Sequence, residues 1–212
     1  MTTLVGRVRH LFDLDADTDE IEAHLGAASI ALVTGRTRGL RVPGAFDAFE
    51  LAVRAVLGQQ VTVKGASTLM ARLVSVFGEE IQTDDPLLTH LTPTAERLAA
   101  ASVTNIKSIG LPNARATTLL ALALAVASGT LRIESDADVP ELMRQLRTLP
   151  GIGPWTAEYI AMRAAHWVDA FPVGDLALRR AAGDVSSAEL ARVSEQWRPW
   201  RAYAAMHLWA TL

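Results

Sequence analysis

The run Leu149-Pro150-Gly151-Ile152-Gly153-Pro154-Trp155-Thr156-Ala157-Glu158-Tyr159, with Phe171-Pro172-Val173-Gly174-Asp175 downstream, holds the residues best suited to chemistry. Two glycines one apolar residue apart permit a tight turn, and a proline directly after them suits the first position of a helix. Such a turn leaves backbone N–H groups bare at a helix N-terminus, where they bind an anion without any side-chain donor. A phosphate gripped in this way is held whatever base it carries. Asp175 adds a carboxylate able to offset positive charge or to orient a water. Together they suggest an enzyme that works on nucleic acid. On spacing alone two plainer readings stay open: Pro-Gly-x-Gly-Pro is also an ordinary interhelical turn, and Asp175 is also a simple N-cap for a helix over 176–182.

The elements that position these residues read as helices. Apolar residues at helical spacing predict helices over 46–57, 62–76, 95–101, 113–127, 139–147, 155–165, 176–182, 187–196 and 200–209, so the hairpin sits between two of them. Strand signals are poor, with one short β-like run at 30–34. The fold expected is all-α. The segment 113–127 is apolar almost all round, which predicts a helix buried on every side as the axis of one lobe.

Composition narrows the class. A chain of 212 residues with 50% hydrophobic content can bury a sizeable core. Its longest apolar stretch, 119–127, is too short to span a bilayer and its first residues form no secretory core, so a cytoplasmic protein with no membrane partner is expected. The absence of cysteine excludes disulfides, thiolate zinc sites and a Cys-ligated iron–sulfur cluster. The formal charge of −3 argues weakly against binding DNA, but six of the 23 acidic residues crowd into Asp13, Asp15, Asp17, Asp19, Glu20 and Glu22. That run reads as a solvated helix start. The remaining chain is slightly basic, with Lys64, Lys107, Arg115, Arg144, Arg147, Arg163, Arg179 and Arg180 available for phosphates. His10, His24, His90, His166 and His207 show no metal-ligand spacing and read as structural or solvated.

With these motifs in this order, the chain resembles the helix-hairpin-helix DNA glycosylases and, within them, the AlkA-type 3-methyladenine DNA glycosylase II enzymes. The resemblance runs from about residue 11 onward. It covers Leu40-Arg41-Val42-Pro43-Gly44, the segment from Phe49 to Val61 ending Leu57-Gly58-Gln59-Gln60-Val61, the hairpin, Asp175, and the segment from Trp197 to Trp209. It implies two helical lobes with a cleft between them: 47–166, ending in the hairpin at 149–154, and 1–46 with 167–212, carrying the aspartate. Longer relatives add an N-terminal sheet domain, for which the stretch before Leu40 is too short.

The resemblance also implies roles. Asp175 would be catalytic, stabilising the positive sugar that forms as a base departs. Trp155, Tyr159 and Trp209 would wall a base pocket that attracts cationic alkylated purines, whereas Trp200 and Tyr203 read as core. Gln59, Gln60, Gly151, Ile152, Gly153 and Thr156 would contact DNA, with Gln60 where the best-known members place a leucine wedge; a helix-terminating turn is the plainer reading of that loop. Trp155 stands where bifunctional relatives carry a lysine, which implies base release without strand cutting. No cofactor is expected to be required. A structural Na+ or K+ on the main-chain oxygens of Arg147, Leu149 and Ile152 is implied. The expected partner is damaged double-stranded DNA, bound by a monomer. The alternatives are a glycosylase for deaminated or oxidised bases, and a non-catalytic DNA-binding module.

Overall fold

Short polar side chains set where the helices begin. Asp47, Thr62, Thr94, Ser102, Asp138, Asp175 and Ser186 each accept a backbone N–H three residues on, an N-cap that contributes about 1 kcal/mol. The computed structural model describes residues 2–30, 37–134 and 137–212. Within these residues lie α1 (Thr2–Leu11), α2 (Thr18–Leu25), α3 (Ala48–Leu57), α4 (Val63–Phe77), α5 (Ala95–Ala99), α6 (Val103–Lys107), α7 (Asn113–Ala127), α8 (Val139–Thr148), α9 (Pro154–Arg163), α10 (Leu176–Ala181), α11 (Ser187–Ser194) and α12 (Arg201–Trp209). Among the described residues the one sheet is an antiparallel pair, Glu79–Glu80 with His90–Leu91. The fold is thus all-α, as expected. Helices α1, α2 and α6 lie outside the predicted ranges, although the acidic run reads as a helix start. The β-like run at 30–34 lies outside the described residues except Ile30, which ends a π-helical turn, Gly26–Ile30.

The chain divides into two compact units, Asp47–Thr156 and Met1–Phe46 with Ala157–Leu212. The sequence runs the first lobe to residue 166, whereas this division falls inside α9. The reason is visible in α9 itself: Met162 joins the core formed by Ile21, Leu25, Phe171, Leu178 and Leu208. Tyr159 and Arg163 therefore belong with the C-terminal helices.

In the unit 47–156, α7 packs against α3, α5 and α6. Ala116, Leu119, Leu122 and Ala123 are buried, but Leu124 is 49% exposed, so α7 is not enclosed on every side as predicted. Its alanine-rich sequence makes it apolar without enough bulk to demand burial all round.

The other unit corrects the reading of the acidic run. Asp17 caps α2, in keeping with a helix start, but Asp13 is 1% exposed. Its carboxylate accepts the Val42 N–H at 3.0 Å and the Tyr203 hydroxyl at 2.8 Å, and lies 2.8 Å from His166 Nε2. His166 in turn meets His10, Nδ1 to Nδ1, at 3.2 Å. Burial pushes the Asp13 carboxyl up, but the hydrogen bonds from His166, Val42 and Tyr203 outweigh it and hold the group below its ordinary range. Tyr203 is core, as expected, and also a donor.

A pH dependence follows. Burial holds His10 and His207 below the ordinary histidine value of 6.5. They stay neutral while the unfolded chain takes up protons, so their contribution is full above pH 6.5 and declines as pH falls through it. Asp13 contributes fully above the ordinary carboxylate value, about 3.9, and loses its contribution below it. The melting temperature should therefore fall from about pH 7.5 to 5.5 and fall again below about pH 4. A flat profile between pH 7.5 and 5.5 would contradict the assignment.

Candidate active site

The hairpin linking α8 to α9 is built around one demanding glycine. Gly151 has φ +78°, and a Cβ added there would overlap the hydroxyl of Thr118 on α7. Ile152 is 5% exposed and donates its N–H to the Leu149 carbonyl at 3.2 Å, anchoring the turn from beneath. Pro150, Gly151, Gly153 and Pro154 are exposed. Gly153 differs from Gly151: its φ is not in the left-handed region and a Cβ there would meet open space. The turn thus presents bare backbone at the start of α9, the geometry that binds phosphate.

Two residues expected to contact DNA serve the hairpin from inside. Thr156 is 3% exposed, and its hydroxyl accepts a hydrogen bond from Gln59 Nε2 at 3.0 Å. The same amide donates to the Gly151 carbonyl at 3.0 Å. Gln59 is thus engaged within the protein because its side chain reaches the hairpin, not because the loop hides it. Its neighbour Gln60 is exposed at φ +55°. Beyond it Val61 and Val63 are exposed, Val63 at 86%, and Thr62 caps α4.

In the other unit, Asp175 Oδ1 accepts the Leu178 N–H at 2.9 Å as N-cap of α10 and the Trp209 indole N–H at 3.2 Å. A tight turn, Asp175 N–H to the Pro172 carbonyl at 2.8 Å, delivers the residue there. Trp209 is half-buried against the apolar core and rides on α12. That helix is pinned at its start, where Arg201 makes a two-pronged pair with Asp169 at 2.7 and 2.9 Å. Of the two roles weighed for Asp175, the structure shows the cap, on a carboxylate that is half-buried. Sequence did not reveal that Trp209 donates to it.

Trp155 and Tyr159 lie one turn apart on α9, both half-buried, Trp155 in the hairpin unit and Tyr159 in the other. Arg163 sits over the Tyr159 ring, 5.6 Å from its centroid, donates to its hydroxyl at 3.3 Å and also donates to the Pro43 carbonyl. Sequence counted Arg163 only among the basic residues, although its i+4 spacing from Tyr159 is the signal for such a contact.

Arg147 and Leu149 stand at the end of α8, where helix carbonyls lack intrahelical donors. With Ile152 they supply the main-chain oxygens implied for a cation, of which the Leu149 carbonyl already accepts the Ile152 N–H at 3.2 Å. Among the described residues no group of His, Asp and Glu could hold a metal, and no helix is long and apolar enough to cross a membrane.

Comparison with known proteins agrees with this architecture. The profile of the HhH-GPD superfamily base excision DNA repair proteins matches residues 53–199, and that of the AlkA N-terminal domain matches residues 1–47. The described part of 1–47 is helical rather than sheet. A Mycobacterium tuberculosis protein named "Probable bifunctional transcriptional activator/DNA repair enzyme AlkA" is 42% identical over all of this chain, which spans 43% of that relative's length. The Escherichia coli DNA-3-methyladenine glycosylase 2 is 39% identical over 98% of this chain and 71% of its own. Among solved structures, a 3-methyladenine DNA-glycosylase from Archaeoglobus fulgidus superposes with a TM-score of 0.80 at 22% identity, covering 97% of this chain and 73% of its own.

Proposed function

Given that this chain belongs to the HhH-GPD superfamily of base excision DNA repair proteins, we propose that it is a monofunctional DNA N-glycosylase that removes alkylated bases of the 3-methyladenine and 7-methylguanine type. The observation that carries the reading is Asp175: a carboxylate fixed at a helix N-terminus by the Leu178 N–H and the Trp209 indole.

The chemistry follows from that placement. The hairpin holds a backbone phosphate of duplex DNA through main-chain N–H groups, indifferent to sequence. The damaged base is swung out of the stack and held against aromatic faces, for which Trp155, Tyr159 and Trp209 are the candidates. As the bond between C1′ and the base nitrogen breaks, its electrons leave with the base and the sugar becomes positive. The Asp175 carboxylate offsets that charge, which exists only on the way to products and therefore accelerates the step. Water adds to C1′ and its proton passes to the carboxylate, leaving an abasic site. A Na+ or K+ on the Arg147, Leu149 and Ile152 oxygens would add positive charge beside the gripped phosphate. With Trp155 in place of a lysine, α9 offers no amine there to form an imine, so the strand stays intact.

One observation favours a wider range of bases. Arg163 already lies over Tyr159, so that ring attracts a second cation less well. Base release from methylated DNA, run beside duplexes containing hypoxanthine or uracil, tests both readings. Release of methylated purines from an unnicked strand is the expected result. Release of hypoxanthine at a similar rate would favour the wider scope, and release of no base from any of them would leave only a DNA-binding module.

A further inference from the structure

We propose that Gln59 is a positioning residue that fixes the loop between α3 and α4 to the phosphate-gripping hairpin, so that the two meet DNA at a set spacing. The proposal rests on the reading of the hairpin as a DNA contact. Its basis is a pair of hydrogen bonds made by one amide. Gln59 Nε2 donates one hydrogen to the Gly151 carbonyl and the other to the Thr156 hydroxyl, each at 3.0 Å, across 92 and 97 residues of chain. A primary amide nitrogen has two donors, and both are spent on the hairpin.

The acceptors are themselves fixed. Gly151 is held left-handed with no room for a Cβ beside Thr118, and Thr156 is 3% exposed in the first turn of α9. On the other side of the amide, Leu57 is fully buried at the end of α3, which packs on α7, the helix that also carries Thr118. Gln59 therefore closes a frame whose two arms already stand on one helix. The next residues point outward: Gln60 at φ +55°, then Val61 and Val63, exposed valines beside the exposed Lys64. Exposed side chains on such a rim are suited to fill the gap left by an extruded base. Successive nucleotides of one strand are stacked about 3.4 Å apart, so a loop that drifted by that much would face the wrong step. Two hydrogen bonds from one side chain hold it well within that distance.

Thr156 makes the idea testable, because it is buried and its side chain has no surface to offer DNA. The variants are Gln59→Leu, Thr156→Val and the pair, with Thr156→Ser restoring the acceptor. Two readouts are needed on the full chain: affinity for an undamaged duplex, and fluorescence of 2-aminopurine placed beside an abasic-site analogue, which reports unstacking. Excision rate and melting temperature accompany them. We expect undamaged-duplex affinity to stay within about twofold while unstacking and excision fall roughly tenfold in Gln59→Leu, which loses both bonds, and by a smaller factor in Thr156→Val, which keeps the bond to the Gly151 carbonyl. The pair should be no worse than Gln59→Leu alone, and Thr156→Ser should recover most of the loss seen in Thr156→Val. If Thr156→Val unstacks and excises like the wild type while Gln59→Leu is impaired, the bond to Thr156 fixes nothing and the proposal that the pair of bonds positions the loop is overturned. A wild-type protein that binds no duplex would instead overturn the functional reading on which it rests.

Discussion

Asp175→Asn is expected to lose base release by at least about a hundredfold while folding and binding duplex DNA as before. The size follows from removing one preorganised electrostatic partner of a developing charge, which elsewhere costs about 2.7–4 kcal/mol of barrier. Stability should hardly move. Asparagine is as good an N-cap as aspartate, and its carbonyl oxygen can accept both the Leu178 N–H and the Trp209 indole N–H that now end on Oδ1. The substitution thus removes charge and keeps shape. Single-turnover release from methylated DNA, with melting temperature and duplex affinity measured on the same preparation, separates the terms. A folded Asp175→Asn protein that releases bases at near the wild-type rate would show that the residue is only a cap.

Local signals in the sequence recovered the local structure. Pro150 to Pro154 announce the hairpin because φ preferences and a missing N–H act within a few residues, and the helix starts follow polar caps three residues from their targets. What the sequence hid depends on distant partners. Asp13 looked like one more acid in a solvated run, yet its partners Val42, His166 and Tyr203 lie 29, 153 and 190 residues away. No local pattern distinguishes it from Asp15, which pairs with Arg9 at the surface. Gln59 is a similar case: nothing local shows that its amide reaches Gly151 and Thr156, 92 and 97 residues away. At Asp175 the cap was legible because the turn before it and the helix after it are both local, whereas its catalytic role was implied by the resemblance alone. The indole that steadies it comes from α12, 34 residues on.

The two hairpin glycines should part company when each is replaced by alanine. At Gly151 the new Cβ must enter a left-handed backbone, costing about 1 kcal/mol or more, and must displace the Thr118 hydroxyl from its bond to the Ala114 carbonyl. Overpacking of this kind adds roughly 1–3 kcal/mol, and the Gly151 carbonyl would be turned away from Gln59. Gly151→Ala should therefore lower the melting temperature by several degrees and weaken binding to every duplex, damaged or not, because the turn itself is distorted. Gly153→Ala meets no obstacle within the protein, so its melting temperature should match the wild type. Any loss of duplex affinity in Gly153→Ala must then come from the ligand side, where a methyl group would keep a phosphate from the backbone N–H groups of α9. Stability and undamaged-duplex affinity, measured for both variants, assign one glycine to the fold and the other to the ligand. Gly153→Ala with full affinity would mean that phosphate does not approach the hairpin at that point.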